Sequence, residues 1–158
     1  MKRSILLSVA LAAVALTSAS AHDYTVGSLK IDHPWARATP KGATVAGGYM
    51  KITNNGATPD RLIGGSTDAA KKLEIHEMSM DGGVMKMREL PNGLEIPPGA
   101  TVELKPGSYH VMMTGIAKQW MKGDHVKASL TFEKAGKVDV EFDVEAAGAS
   151  AMDHMHMN

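Results

Sequence analysis

The sequence predicts an all-β domain, an antiparallel sandwich with Greek-key connections, and three observations predict it. Apolar and polar residues alternate with a period of two in several short runs, most plainly from Val126 to Glu133 and from Val138 to Val144. Successive strand residues point to opposite faces, so this is the pattern of a strand buried on one side. The runs are separated by turn formers such as Asn54-Asn55-Gly56, Pro91-Asn92-Gly93 and Pro97-Pro98-Gly99, whose dihedral preferences suit tight reversals. No long segment of the expected domain carries the 3.6-residue period of an amphipathic helix. Short strands closed by turns bury their apolar faces against a second sheet.

In chain order, residues 1–21 combine Lys2-Arg3, an apolar run from Ile5 to Leu16 and Ser18-Ala19-Ser20-Ala21. This is the layout of a cleavable secretory signal peptide, and its apolar part is too short for a stable membrane span. Export to the periplasm is expected, with a mature chain starting at His22; with no lipobox cysteine, a lipid anchor there is not expected. The sandwich is expected over residues 22–145 and a flexible tail over 146–158. Leu29 to Ala38 reads as a first strand, with His33 pushed into an extended conformation by the proline after it and Trp35 as a core anchor. A loop leads to a strand from Tyr49 to Thr53, where Gly47-Gly48 suits a bulge or a close approach between sheets. Asp60 to Ser66 and Lys71 to Met80 form two strands around a turn near Thr67-Asp68-Ala69. Asp81-Gly82-Gly83 then closes a hairpin whose second strand carries Met85 and Met87. Leu94 to Ile96, Thr101 to Leu104 and Tyr109 to Gly115 follow as short strands. Trp120, Met121 and His125 read as a capped hydrophobic loop, and the last two runs as a hairpin around Ala135-Gly136.

Charge narrows the function. The chain has 17 basic and 17 acidic residues; losing Lys2 and Arg3 with the signal leaves a slight acidic excess. No basic patch remains to attract nucleic acid, so a protein or an ion is the expected partner. No Ser/His/Asp, paired-carboxylate or phosphate-loop constellation supports a hydrolase or a kinase. A single domain of this length buries roughly two-thirds of its unfolded surface and folds without disulfides; the sequence has no cysteine to form one.

The chemically informative stretch runs from His76 to Met112. His76-Glu77-Met78 opens it and His110-Val111-Met112 closes it, with Met80, Met85 and Met87 between. Strand alternation puts His76, Met78 and Met80 on one face, pairs Met85 with Met87, and pairs His110 with Met112. Methionine on a strand is ordinarily core filler, and a lone histidine is ordinarily just hydrogen-bonded. The repeated H-x-M with methionines between argues instead for a metal site. Imidazole and neutral thioether suit Cu(I) better than Mg²⁺, Ca²⁺ or zinc. On the residues alone Met78, Met85 and Met87 all remain candidates for the thioether beside His76. The absence of cysteine excludes an ordinary blue-copper carrier, whose site requires a Cys sulfur, while thioethers persist in an oxidising compartment better than thiolates do.

These residues resemble a family. His76, Met87, His110 and Met112, within DGGVMKMRELPNGLEIPPG and LKPGSYHVMM, are similar to the motif of the periplasmic PCuAC copper chaperones, and the similarity extends to HPWARATPKGATVAGGYMKITN. The resemblance spans about Gly27 to Val144. It implies a cupredoxin-like sandwich that binds Cu(I) through two His and two Met. It further implies delivery of copper to the binuclear site of cytochrome c oxidase subunit II, alongside Sco-type thiol proteins. The family spacing favours Met87 as the middle ligand.

Two further groups carry metal-binding composition. The end of the chain interleaves Met152, His154, Met155, His156 and Met157, a tract expected to take Cu(II) or to gather copper for the main site. If the signal is removed after Ala21, the α-amine and imidazole of His22 together form a Cu(II) chelate of the kind copper oxygenases use; a solvated terminus is the commoner role of such a residue. The expectation is therefore a copper chaperone and not an enzyme, without nucleic-acid partner or stable membrane anchor. The alternatives are a copper-dependent enzyme built on His22 and a metal-free periplasmic interaction domain.

Overall fold

The structure, a computed structural model, describes residues 22–150. Eleven strands follow one another: β1 Tyr24–Val26, β2 Leu29–Arg37, β3 Val45–Asn54, β4 Asp60–Ser66, β5 Lys72–Asp81, β6 Val84–Glu89, β7 Leu94–Ile96, β8 Thr101–Leu104, β9 Tyr109–Thr114, β10 His125–Phe132 and β11 Gly136–Glu145. The described residues contain no helix, and the all-β expectation holds. Residues 1–21, read as the signal peptide, and the His/Met tract from Met152 onward lie outside the described residues.

Seven strands form a closed circuit. The order β2-β11-β10-β4-β5-β9-β3 returns to β2 through the β2–β3 pairing, so the two layers of the sandwich are joined at both ends. β6 and β7 hang from this circuit by single partners, β5 and β4 respectively. One pairing departs from the antiparallel expectation: β11 runs parallel to β2, with Asp143, Val144 and Glu145 opposite Trp35, Ala36 and Arg37. A parallel neighbour needs a long crossover rather than a hairpin, and here almost the whole domain lies between the two strands.

The period-two runs fill the interior. Leu130 and Phe132 of β10 and Val140, Phe142 and Val144 of β11 face Ile31, Ile52, Leu62, Ile75, Val111 and Met113. Burying a side chain of this size contributes about 1.5–3 kcal/mol, so the two phenylalanines, at 1% and 0% exposure, are major anchors. Close approach explains a glycine in the middle of β3. A Cβ on Gly48 would stand 2.8 Å from the Phe142 ring and 3.1 Å from the Met113 methyl. The segment read as a loop up to Gly48 is therefore already strand.

Several local expectations are corrected. His33 has φ +48°, the left-handed region, rather than an extended conformation. It sits where the β2–β3 register shifts between Asp32 and Trp35, so a bulge absorbs an extra residue just before Pro34. Trp35 is buried as expected, but in a satellite cluster with Tyr49 and Ala149, its ring 4.6 Å from that of Tyr49. This cluster ties down the first residues of the segment read as a flexible tail: the Arg37 guanidinium donates from Nε and Nη2 to the Ala149 carbonyl, at 3.1 and 2.8 Å. His125 is the first residue of β10 rather than part of a loop. Trp120 does cap the preceding loop, at 1% exposure, with Met121 left exposed. β1 was not legible in the sequence; Tyr24 holds it in place, its hydroxyl accepting the Glu141 N–H at 2.9 Å.

Candidate metal centre

Three adjacent strands, β6-β5-β9, carry the sequence-predicted donors. Leu73 and Ile75 of β5 and Val111 and Met113 of β9 turn inward to the core, which sends Glu74, His76, His110 and Met112 to the opposite face. The register brings them together: His76 lies directly opposite His110, and Glu74 opposite Met112. On the other side of β5, Met78 pairs with Met87 and Met80 with Met85. The hairpin that sets this register closes through Gly82 (φ +58°) and Gly83 (φ +80°). Two successive positive φ angles give the turn whose twist matches paired strands.

The imidazole rings of His76 and His110 have centroids 5.7 Å apart and planes inclined by 47°. Each ring has one nitrogen fixed by a neighbour. His110 Nδ1 lies 3.1 Å from the Ser108 carbonyl oxygen. A carbonyl only accepts, so Nδ1 carries the proton and Nε2 presents a bare lone pair. That lone pair faces the Met87 sulfur at 3.3 Å. A thioether has no proton to give, so two electron-pair donors confront each other across a gap with nothing between them to share. His76 repeats the arrangement: Nε2 lies 3.0 Å from Glu74 Oε2 and donates to that carboxylate. Its Nδ1 is buried and without a hydrogen-bonding partner.

Burial fits the same chemistry. His110 is 6% exposed, and its pKa is lowered, first by desolvation and then by the neighbouring His76, against the Ser108 carbonyl, which raises it. Burial disfavours the charged form of an imidazole, so His110 is held neutral, the form a metal requires. Imidazoles and thioethers gathered on one patch are a soft-to-borderline donor set.

Of the candidate thioethers, Met87 reaches His110. Met85 lies two residues nearer the turn, opposite Met80, and both are exposed; Met78 lies beside Met87 on β5. Met112 has Gly47 of β3 as its other cross-strand partner, which adds no side chain of its own to that face. His22 does not join this group; its ring lies with Glu141 and Asp143 of β11. His154, Met155, His156 and Met157 lie outside the described residues. The reading of the residues missed Glu74 and Ser108, which orient the two imidazoles. For Glu74 the signal was present, since it stands two positions before His76 and hence on the same face of β5; Ser108 acts through the backbone carbonyl of the turn before β9, which a side-chain pattern does not reveal.

The sequence profile of the LpqE-like putative lipoproteins matches residues 29–144. The chain belongs to this family. It is similar to the putative lipoprotein Lxx21020 of Leifsonia xyli subsp. xyli, 29% identical over 117 residues covering 74% of this chain and 69% of that protein. Among solved structures, the LpqE-like chain is similar to the copper-bound PCuAC domain from PmoF2, with 35% identity, a TM-score of 0.67 and coverage of 79% of this chain and 98% of that one. It is also similar to the apo PCuAC domain from PmoF1, with 32% identity, a TM-score of 0.68 and coverage of 79% and 99%. The Cu(I) form of DR1885 from Deinococcus radiodurans is 26% identical, with a TM-score of 0.57 and coverage of 83% and 85%. The LpqE-like chain thus has the PCuAC, cupredoxin-like all-β fold. The lipoprotein description concerns the relatives; the 158 residues contain no cysteine.

Proposed function

We propose that this protein is an exported copper chaperone that carries Cu(I) as cargo on His76, Met87, His110 and Met112. The observation that carries the reading is the lone pair of His110 Nε2 directed at the Met87 sulfur at 3.3 Å, beside the unpartnered Nδ1 of His76. A monovalent soft cation relieves both features at once. Glu74 and Ser108 keep each imidazole in the tautomer that offers a lone pair, as partners behind ligating histidines generally do. The copper-bound state of related PCuAC domains supports the choice of metal.

The activity is exchange rather than turnover. Met87 is 50% exposed, so incoming sulfur ligands reach the ion while the imidazoles still hold it. Transfer then proceeds through mixed-ligand intermediates, each metal–ligand bond to this chain giving way as one to the acceptor forms, with no change in oxidation state and no covalent bond of the protein altered. The acceptors in this reading are copper-receiving proteins outside the cytoplasm, cytochrome c oxidase subunit II or a Sco-type thiol protein. The Met80 and Met85 pair nearer the hairpin turn, together with Met78, extends the thioether surface along which such a partner approaches.

Anaerobic titration with Cu(I), followed by X-ray absorption, tests the reading. One ion per chain with mixed nitrogen and sulfur ligation is expected, together with loss of the ion to a thiol-bearing acceptor. Copper retention unchanged after His76→Ala and His110→Ala would refute it, and failure of the unsubstituted protein to take up the ion would favour a metal-free interaction domain.

A further inference from the structure

We propose that the outer face of β10 and β11 holds a second metal site, separate from the His/Met patch, built from His22, His125, Glu141 and Asp143 and suited to a divalent transition-metal ion. Ligand atoms of His22, Glu141 and Asp143 all lie within 4.8 Å of one another. His125 adds a fourth: its Nδ1 is 2.8 Å from Asp143 Oδ1 and 3.5 Å from Glu141 Oε1. The strands arrange this directly. His125 and Asp143 are cross-strand partners, and Glu141, two residues before Asp143, shares their face. The fourth group comes from outside the hairpin. Tyr24 accepts a hydrogen bond from the Glu141 backbone, and this contact brings the chain before β1 back over β11, with His22 at its end.

An ion pair explains only part of this. His125 against two carboxylates is a half-exposed surface contact of the kind that contributes about 0–1 kcal/mol, and it gives no reason for a second imidazole, that of His22, to lie beside the same two side chains. A metal ion does. Metal bonds to imidazole and carboxylate of about 2.0–2.2 Å set neighbouring donor atoms roughly 3–4 Å apart, a range that the 2.8 and 3.5 Å separations at His125 approach and the 4.8 Å limit at His22 exceeds only modestly. The donors are two imidazoles and two carboxylates without sulfur, a set that selects Zn(II) or Cu(II) over Cu(I). The chain then has two sites of opposite preference: a thioether patch for the reduced ion and a carboxylate patch for divalent ions. With His125 and His22 both exposed, the second site exchanges freely with solvent.

The test uses the full chain, isotopically labelled, with His154→Ala and His156→Ala to silence the tail. Cu(II) is added to one equivalent and amide signals are followed by NMR. Expected is paramagnetic loss of signals around residues 22–25, 124–127 and 140–144, with matching Zn(II)-induced shifts at the same amides. His125→Ala with Asp143→Asn should lower the Zn(II) affinity read from those shifts at least tenfold while the spectrum stays folded and Cu(I) loading stays intact. Broadening confined to residues 74–89 and 108–113, or Zn(II) affinity unchanged in the double variant, overturns the proposal. The Cu(II) broadening and the Zn(II) shifts do not depend on Cu(I) binding, so failure of the chaperone reading leaves them interpretable.

Discussion

Met87→Leu separates metal retention from folding. Met87 is 50% exposed, and none of the six residues of β6 is buried. Full burial of a methionine side chain contributes about 1.5–3 kcal/mol, so roughly half of that is at stake, and leucine keeps most of the apolar contact with Met78. The expected stability change is within about 0.5 kcal/mol, the range of surface substitutions. The melting temperature should barely move. The Met87 sulfur that faces His110 is nevertheless gone, and loss of one donor is expected to weaken Cu(I) binding by at least tenfold, about 1.4 kcal/mol. The assay is competition with a Cu(I) chelator under anaerobic conditions, run beside thermal melts. Unchanged affinity in Met87→Leu, and again in Met112→Leu, would refute the four-ligand argument. A large drop in melting temperature would instead show that the strand is structural.

Three further outcomes are expected. Glu74→Gln weakens the fixing of the His76 tautomer and should lower Cu(I) affinity by about 10–100-fold, the usual effect of removing a partner behind a metal ligand, with little change in fold. For the metal-free protein, the lowered pKa of His110 means that the unfolded chain takes up a proton at higher pH than the folded one. The stabilisation tied to neutral His110 is therefore fully present above its ordinary value of about 6.5 and is lost as pH falls through the lower folded value. Melting temperature should decline from pH 7 toward pH 5, and less steeply in His110→Gln. Asp60 is buried and accepts N–H bonds from Arg61, Lys134 and Ala135 at 2.7, 2.9 and 2.9 Å. Asp60→Ala leaves three part-buried amides without their acceptor, each at up to about 1–3 kcal/mol less what water restores, and should lower the denaturation midpoint by a clear margin without altering copper ligation.

The face on which each donor lies was legible because strand periodicity is rigid: once His76 and Met78 share a strand, they share a face. The hairpin register was legible because Asp81-Gly82-Gly83 leaves few ways to turn. What the residues could not give was the pairing of β5 with β9, since that contact joins distant segments through a core that only the whole chain defines. His76 opposite His110 is its product. The left-handed His33 was missed because the preference of a residue before proline is local, whereas the bulge there is set by the register of β2 against β3. Ala149 reads as linker composition, yet it is held because the Trp35-Tyr49 pair leaves an apolar surface that only a docked segment covers. The cluster around His22 was invisible for the same reason as β1: three residues offer too little pattern, and a single tyrosine hydroxyl decides where they lie.

The proposed donors do not rest on equal foundations. β5 and β9 are flanked on both sides within the strand circuit, so the two imidazoles are gripped by the body of the protein. β6 is joined along one seam only, to β5, and it is the strand that carries the Met87 sulfur. Peeling back that flap removes one donor while the circuit beneath stays whole, so a motion that leaves the body of the fold untouched is also one that opens the proposed coordination sphere to a newcomer.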